Sequence, residues 1–408
     1  MPFRSLDDAD VKGKRVLLRV DLNVPMLDGK VTDATRIEEI APTIREIAGN
    51  GGKVILLSHL GRPQGRDETF SLRPVAAEVA RIVKRKVAFA EDCVGPAAEA
   101  AIAAMKDGDI LCLENTRFHP EEEKNDQTFA RRLAALGDIF VDDAFSVAHR
   151  RHAANTSIVT VSGLPAYPGR AMKAELDALK KAFETPQHPV AAIVGGAKIS
   201  TKLDLLGHLL AKVETLIIGG GMANTFLAAL GKPIGKSLCE TELIPAARDV
   251  LAKAKTLARE IVLPVDVVVA QKLAEHVASR VVSVDDVGAT DMIFDIGPRT
   301  IEQVISALAR AKTLVWNGPF GAFEYEPFDN GTVEVAEAVA ELTGAGRLVS
   351  FAGGGDTVAA LNIAGVTSRL THVSTAGGAF LESLEGKTLP GVEVLKISPT
   401  PAAAAGEA

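Results

Sequence analysis

The chain predicts an α/β protein of two domains, each with a parallel β-sheet at its core. Short aliphatic runs alternate with stretches of helical periodicity, the pattern of β-α units that build parallel sheets. Aromatic residues are only 4% of the chain while hydrophobic residues reach 47%, so the core is aliphatic, as buried parallel strands require. A length of 408 residues exceeds what one hydrophobic core usually covers.

Eleven such runs follow one another. They are RVLLRV from Arg15, KVILLS from Lys53, DILCLE from Asp109, DIFVD from Asp138, PVAAIV from Pro189, TLIIGG from Thr215, IVLPVDVVV from Ile261, MIFDI from Met292, TLVWN from Thr313, RLVSFA from Arg347 and HVST from His372. Between them lie helical stretches such as 72–84 and 333–342. After the fourth run, SGLPAYPG at 162–169 breaks the pattern with Gly and Pro, and RAMKAELDALKKAFE then resumes helical spacing. That stretch reads as a connecting helix, and the expected domains are 1–168 and 169–389. The tail PTPAAAAGEA at 399–408 is expected to fray.

Composition narrows the function. A net charge of −7 argues against a generalised nucleic-acid or membrane surface, so any anion site must be local. Asp7, Asp8 and Asp10 occupy the place where a secretory signal needs apolar residues, and no run of about 18 apolar residues is available for a membrane span. A cytoplasmic protein is expected. Cys93, Cys112 and Cys239 are too scattered for a disulfide framework or a zinc site and read as reduced thiols.

Ligands of parallel α/β sheets bind beyond the carboxyl ends of the strands. In the first half each run ends in polar side chains: Asp21 and Asn23, then His59 and Arg62, then Glu114 and Arg117, then Asp142 and Asp143 followed by His149 and Arg150, with Arg36 just beyond the first loop. Converging arginines suit a small polyanion. His119 and His152 are assigned surface or supporting places. Surface ion pairing is the ordinary alternative for any one of these charges, but the repetition at four successive runs favours a site.

In the second half the runs end in glycine: GGAK from Gly195, GGGMAN from Gly219, NGPFGAFEYE from Asn317, AGGGDT from Ala352 and STAGGAF from Ser374. Glycine lets backbone N–H groups approach phosphate oxygens at a helix start. Lys198 and Lys202 are four apart and are expected on one face of the helix's first turns. Asp356 supplies a carboxylate suited to Mg²⁺ held with substrate phosphates, and Glu324 an acceptor suited to a ribose hydroxyl. GKPIGKS at 231–237 falls one residue short of a Walker A loop. GGGMAN and GGGDTV lack the last glycine of the dinucleotide fingerprint, having Asn224 and Val358 there.

Together, VDLNVP, SHLGRP, LENTRF, DDAFSVAHRRHA, GGAKISTK, GGGMANTFL, WNGPFGAFE and GGGDT, in this order over almost the whole chain, resemble the phosphoglycerate kinase family. The resemblance implies a monomeric enzyme of two Rossmann-like domains joined by a helical hinge across a cleft. Its implied reaction is reversible phosphoryl transfer from 1,3-bisphosphoglycerate to Mg-ADP, giving 3-phosphoglycerate and Mg-ATP in glycolysis and gluconeogenesis. It implies a phosphoglycerate site of Asp21, Asn23, Arg36, His59, Arg62, Arg117 and Arg150. The implied nucleotide site is Lys202, Glu324, Gly354, Gly355, Asp356 and Thr357, with Lys198 beside the phosphates and a carboxy-terminal stretch, 390–408, returning to the first domain. Arg36 and Lys202 are assigned to the transition state, Asp356 to the metal, and Gly377 and Gly378 to backbone donation. Ile293 and Ala376 stand where the family commonly has glycine.

The substrate's attacking oxygen is already an anion, so positioning and charge neutralisation suffice without a catalytic base. Two sites in two halves then require hinge closure. A nicotinamide-dependent dehydrogenase and a nucleotide-binding regulator without turnover are the competing readings. The missing fingerprint glycines oppose the first, and the intact Arg36, Lys202 and Asp356 set opposes the second.

Overall fold

The computed structural model describes residues 3–396; the tail at 399–408 lies outside them. The described residues fall into two compact units. One reaches Leu176 and takes in the segment from Thr388, and the other is Asp177–Lys387.

The first unit is built on a six-stranded sheet ordered Val87–Phe89, Ile110–Cys112, Lys53–Leu57, Arg15–Arg19, Ile139–Asp142, Ala166–Pro168. All its pairings are parallel. The first strand in sequence lies in the middle, so chain direction across the sheet reverses there and its carboxyl end opens a crevice. Helices Thr35–Gly49 and Arg73–Val83 cover one face, burying Ile37, Ile40, Ile44 and Ile47 from one and Val75, Val79 and Val83 from the other. These spacings of three and four residues place each set on one helix face.

The second unit repeats the plan with strands Glu260–Val262, Thr215–Ile218, Val190–Val194, Thr313–Asn317, Val349–Gly353 and His372–Ser374, again all parallel. Helix Pro298–Arg310 starts with Pro in its first turn, where no N–H is needed, and buries Ile301, Val304, Ala307 and Leu308. Asp266 accepts the Thr300 N–H at 2.8 Å, satisfying one of that helix's orphan donors.

Two runs depart from the parallel expectation. Pro264 divides IVLPVDVVV, so only Glu260–Val262 joins the parallel sheet, while Asp266–Ala270 pairs antiparallel with Arg280–Ser283 and with Met292–Ile296. The connection from Ala270 to Arg280 is too short for a crossover helix, which leaves antiparallel pairing. Strands Val87–Phe89, Ala166–Pro168 and Arg280–Ser283, and the small hairpin Met26–Leu27 with Lys30–Val31, carry too few aliphatic residues to stand out in the sequence.

Ala166–Pro168 pairs with Ile139–Asp142, so SGLPAYPG contributes the last strand of the first sheet. The division between units falls inside the next helix, Arg170–Leu179. Helix Pro390–Lys396 lies in the first unit, where the Gly391 N–H donates to the Ala148 carbonyl at 2.8 Å. A Cβ on Gly391 would stand 3.0 Å from Ala148 Cα.

Candidate active site

In the first unit the strand ends bring several predicted residues together. Asp21 follows the central strand and is buried; its Oδ1 accepts the Asn23 N–H at 2.9 Å, and its Oδ2 accepts from Ser146 Oγ and from Arg36 Nη1, the latter at 2.9 Å. The same Nη1 donates to the Asn23 carbonyl at 2.8 Å. Asn23 Oδ1 takes the Gly61 N–H at 2.8 Å, and Arg117 Nη1 donates to the Gly61 carbonyl at 2.6 Å. Gly61, with φ +61°, therefore ties the ends of three strands into one bonded patch. Asn23 and Arg36 line a cavity of about 370 Å³ with Val24, Pro25 and Asp33. Arg62 is exposed, and Arg150 is half-buried with its Nε 3.3 Å from His149 Nε2.

Below this patch lies a buried polar layer. His59 is enclosed, with Nδ1 3.2 Å from Nη2 of the fully buried Arg19. Burial, then the charges of Arg19 and Arg117, hold the His59 imidazole well below its ordinary pKa. His152 is also buried, and burial with Arg117 and Arg19 brings it down to about 3. It is an interior residue, not a surface one. Glu114 accepts from Ser71 Oγ and from the Leu72 and Asn115 N–H groups at 2.7–2.8 Å, so this carboxylate builds the loop before helix Arg73–Val83. Burial raises the Asp142 carboxyl to about 7 and that of Asp143 to about 6. Asp142 accepts the Ala144 N–H and Asp143 the Met172 N–H, so both serve the local backbone.

The second unit presents glycine turns around a cavity of about 550 Å³. Gly196, Gly220, Gly221, Glu324 and Asp356 line it, and Leu238, Leu273, Met292, Ile293 and Phe320 give it apolar walls. Gly220 requires glycine: its φ is +68° and a Cβ would meet Gly196 backbone atoms at 2.5 Å. Gly354 (φ +102°) caps helix Gly355–Ile363, with Asp356 exposed in the first turn and Thr357 buried, its Oγ1 accepting the Gly318 N–H at 2.7 Å. The start of helix Gly377–Leu384 adjoins this turn, since a Cβ on Gly377 would lie 3.6 Å from Gly355 N. Ala376 has φ −92°, so an alanine sits there without backbone strain.

The lysines differ from expectation. The helix begins at Leu203, Lys202 holds its N-cap position, and Lys198 lies in the preceding loop, so the two do not share a helix face. Gly196 turns the chain at φ +120°, and Glu240 accepts the Ser200 N–H and Oγ–H at 3.0 and 2.6 Å, holding the loop out of helical form. Lys198 is exposed. Lys202 is half-buried, its Nζ donates to Asn317 Oδ1, and burial lowers its pKa.

The sequence reading missed Arg19 and Asn317. Arg19 carried a signal, a charge inside an otherwise aliphatic run. Asn317 had none beyond its place at a strand end; its Nδ2 donates to the Gly353 carbonyl at 2.8 Å and so joins two glycine turns. Asp92, Cys93 and His119 also come together, with ligand atoms within 4.8 Å of one another. His119 Nε2 and Asp92 pair at 2.7 Å, while burial pushes the Cys93 thiol up, which opposes metal ligation.

Comparison with known proteins agrees with this geometry. The family model described as phosphoglycerate kinase matches residues 6–387. The chain is 62% identical over 395 residues to the phosphoglycerate kinase of Rhodopseudomonas palustris, covering 97% of this chain and 99% of that one. It is 60% identical, with the same coverage, to the phosphoglycerate kinase of Bradyrhizobium diazoefficiens. Among solved structures it is similar to phosphoglycerate kinase from Coxiella burnetii, with TM-score 0.89, 43% identity, and coverage of 97% and 98%. The enzyme from Pyrococcus horikoshii gives TM-score 0.81 at 32% identity with the same coverage. The α/β fold and these matches place the chain among kinases that act on small molecules. It belongs to the phosphoglycerate kinase family. Its activity is the family's glycolytic reaction, phosphoryl transfer between 1,3-bisphosphoglycerate and ADP.

Proposed function

We propose that each unit binds one substrate of this reaction and that closure of the two brings them into line. One observation carries the proposal: the strand ends of the first unit offer cationic side chains, and those of the second offer glycine turns around a nucleotide-sized cavity. Asp21, Asn23, Arg36, His59, Arg62, Arg117 and Arg150 bind the phosphoglycerate. Arg36 is positioned by Asp21 and Asn23, and Arg117 by Gly61, so both guanidinium groups are preorganised.

On the nucleotide side, Gly354, Gly355, Asp356 and Thr357 cradle phosphates, Glu324 meets the ribose, and the apolar wall including Ile293 takes the base. The Asp356 carboxylate fits Mg²⁺, because it stands exposed at the mouth of the cavity and makes no hydrogen bond to protein among the described residues. Bound there, the ion would screen phosphate charge.

The attacking oxygen is anionic in either direction, so no residue has to remove a proton. Arg36 and Lys202 neutralise charge on the moving phosphoryl group, and the N–H groups of Gly377 and Gly378 at a helix start add donors. Lys198 supports the phosphates from its loop. The enzyme works as a monomer in the cytoplasm; no helix among the described residues is long and apolar enough to cross a membrane.

A coupled assay with 3-phosphoglycerate and Mg-ATP tests the whole reading, with NADH binding as a control. Turnover without NADH binding is expected. The fragment 1–168 should show no phosphoryl transfer, and near-full transfer by it would refute the two-site mechanism.

A further inference from the structure

Among the described residues of the first unit Arg19 is the most deeply enclosed cationic side chain, a guanidinium with 1% of its residue surface exposed. It ends the central strand, where Nη1 donates to the Val20 carbonyl and Nη2 lies 3.2 Å from His59 Nδ1. A guanidinium has five N–H donors and no acceptor, and it does not deprotonate in proteins. The contact is therefore a hydrogen bond only if His59 Nδ1 carries no proton. A neutral imidazole has one protonated nitrogen, so the proton must be on Nε2.

We infer that Arg19 is a positioning residue: it holds His59 as a neutral ring protonated on Nε2, so that His59 meets the anionic substrate as an N–H dipole and not as a cation. The second half of the inference rests on the proposed place of His59 in the phosphoglycerate site.

The surroundings agree from every side. Arg19 faces the ring from the central strand, Arg117 from the third strand end, and Arg150 and His152 from the fourth, so a proton added to the ring would meet three guanidinium charges. The buried carboxyls of Glu122 and Asp142 feel the Arg19 charge, which opposes the rise that burial causes in each. Burial itself disfavours the imidazolium. The consequence is a division of labour: the arginines supply charge, and His59 supplies a directional donor whose state does not change with pH. A charged histidine would titrate near neutrality and make substrate affinity depend on pH there.

Long-range ¹H–¹⁵N correlation spectra of the histidine rings in the full-length enzyme decide the matter, with His59 assigned from its absence in His59→Gln. The expected result is a single His59 tautomer, protonated on Nε2, unchanged from pH 8 to pH 5. A ring protonated on Nδ1, or one that titrates near its ordinary value, overturns the inference. In Arg19→Met the ring should show a second tautomer or an ionisation in that window, and KM for 3-phosphoglycerate should rise about tenfold, the loss of one well-placed hydrogen bond. Arg19→Lys, whose ammonium is also only a donor, should keep the single tautomer. An Arg19→Met enzyme with one fixed tautomer and unchanged KM also overturns it, and if that variant does not fold, the wild-type and Arg19→Lys spectra still decide. Saturating 3-phosphoglycerate should shift Nε2 and leave Nδ1 in place. A His59 ring unmoved by the substrate overturns the substrate half alone, together with the place of His59 in that site, while the tautomer result stands separately.

Discussion

Replacing Arg36 by Ala separates catalysis from scaffolding. In the structure Nη1 donates to Asp21 Oδ2 at 2.9 Å and to the Asn23 carbonyl at 2.8 Å, while 34% of the side chain remains exposed. Asp21 keeps the Asn23 N–H and Ser146 Oγ after the change, so no buried carboxylate is left bare. Solvent reaches the arginine, and the pair is worth about 1 kcal/mol, at the upper end for exposed ion pairs. The melting temperature should fall by roughly 2–4 °C for a unit of this size. The catalytic effect should be larger. A donor preorganised toward developing charge contributes about 10²–10³ in kcat, or roughly 2.7–4 kcal/mol. Steady-state assays in both directions should show that loss in kcat with KM for ADP unchanged, and differential scanning calorimetry should show the small thermal shift. An unchanged kcat with only a raised KM for 3-phosphoglycerate would make Arg36 a uniform binder and refute its transition-state role. A collapse in melting temperature would assign the loss to folding instead.

Asp356→Asn should raise the Mg²⁺ concentration needed for half-maximal activity, and an unchanged Mg²⁺ titration removes Asp356 from the metal site. Gly354→Ala should weaken nucleotide binding, because φ is +102° and the new Cβ would stand 2.6 Å from Asn317 Nδ2; the strain costs on the order of 1–3 kcal/mol, and calorimetric ADP affinity equal to wild type would contradict this. Asp142 and Asp143 have carboxyls raised from 3.8 to about 7 and about 6, so the folded state retains protons that the unfolded chain has released. Their contribution is full below about pH 4 and is lost as pH rises through 6 and 7. Asp143→Asn should flatten the fall in denaturant-measured stability between about pH 4 and 6, by up to about 1.4 kcal/mol per pH unit; an identical slope in both proteins refutes the assignment.

Much of the fold was legible because parallel strands buried on both faces must be aliphatic. RVLLR, KVILL, VAAIV and TLVWN announce themselves, and their order in the chain is that of two α/β sheets. Short edge strands were not legible: AYP at Ala166–Pro168 reads as a Gly/Pro loop until its partner strand is known. The direction of MIFDI was hidden for a similar reason, since pairing sense depends on the length of the connections and not on the run itself. At the site, the strand-end rule located Asp21, His59, Arg117 and the glycine turns. It could not sort Arg36, held by Asp21, from Glu114 and Asp143, which serve neighbouring backbone N–H groups. Nor could helical spacing foresee that Glu240, 40 residues away, ties down Ser200 and leaves Lys198 in a loop.

The central claim, one substrate to each unit, is tested most directly by amide hydrogen exchange of the full-length chain with each ligand separately. Saturating 3-phosphoglycerate should slow exchange around Asp21, Asn23, Gly61, Arg117 and Arg150 and leave the glycine turns of the second unit unchanged. Mg-ADP should slow exchange at Gly220, Gly355, Asp356 and Gly378 and leave the first unit unchanged. Protection of the same strand ends by both ligands would contradict the account.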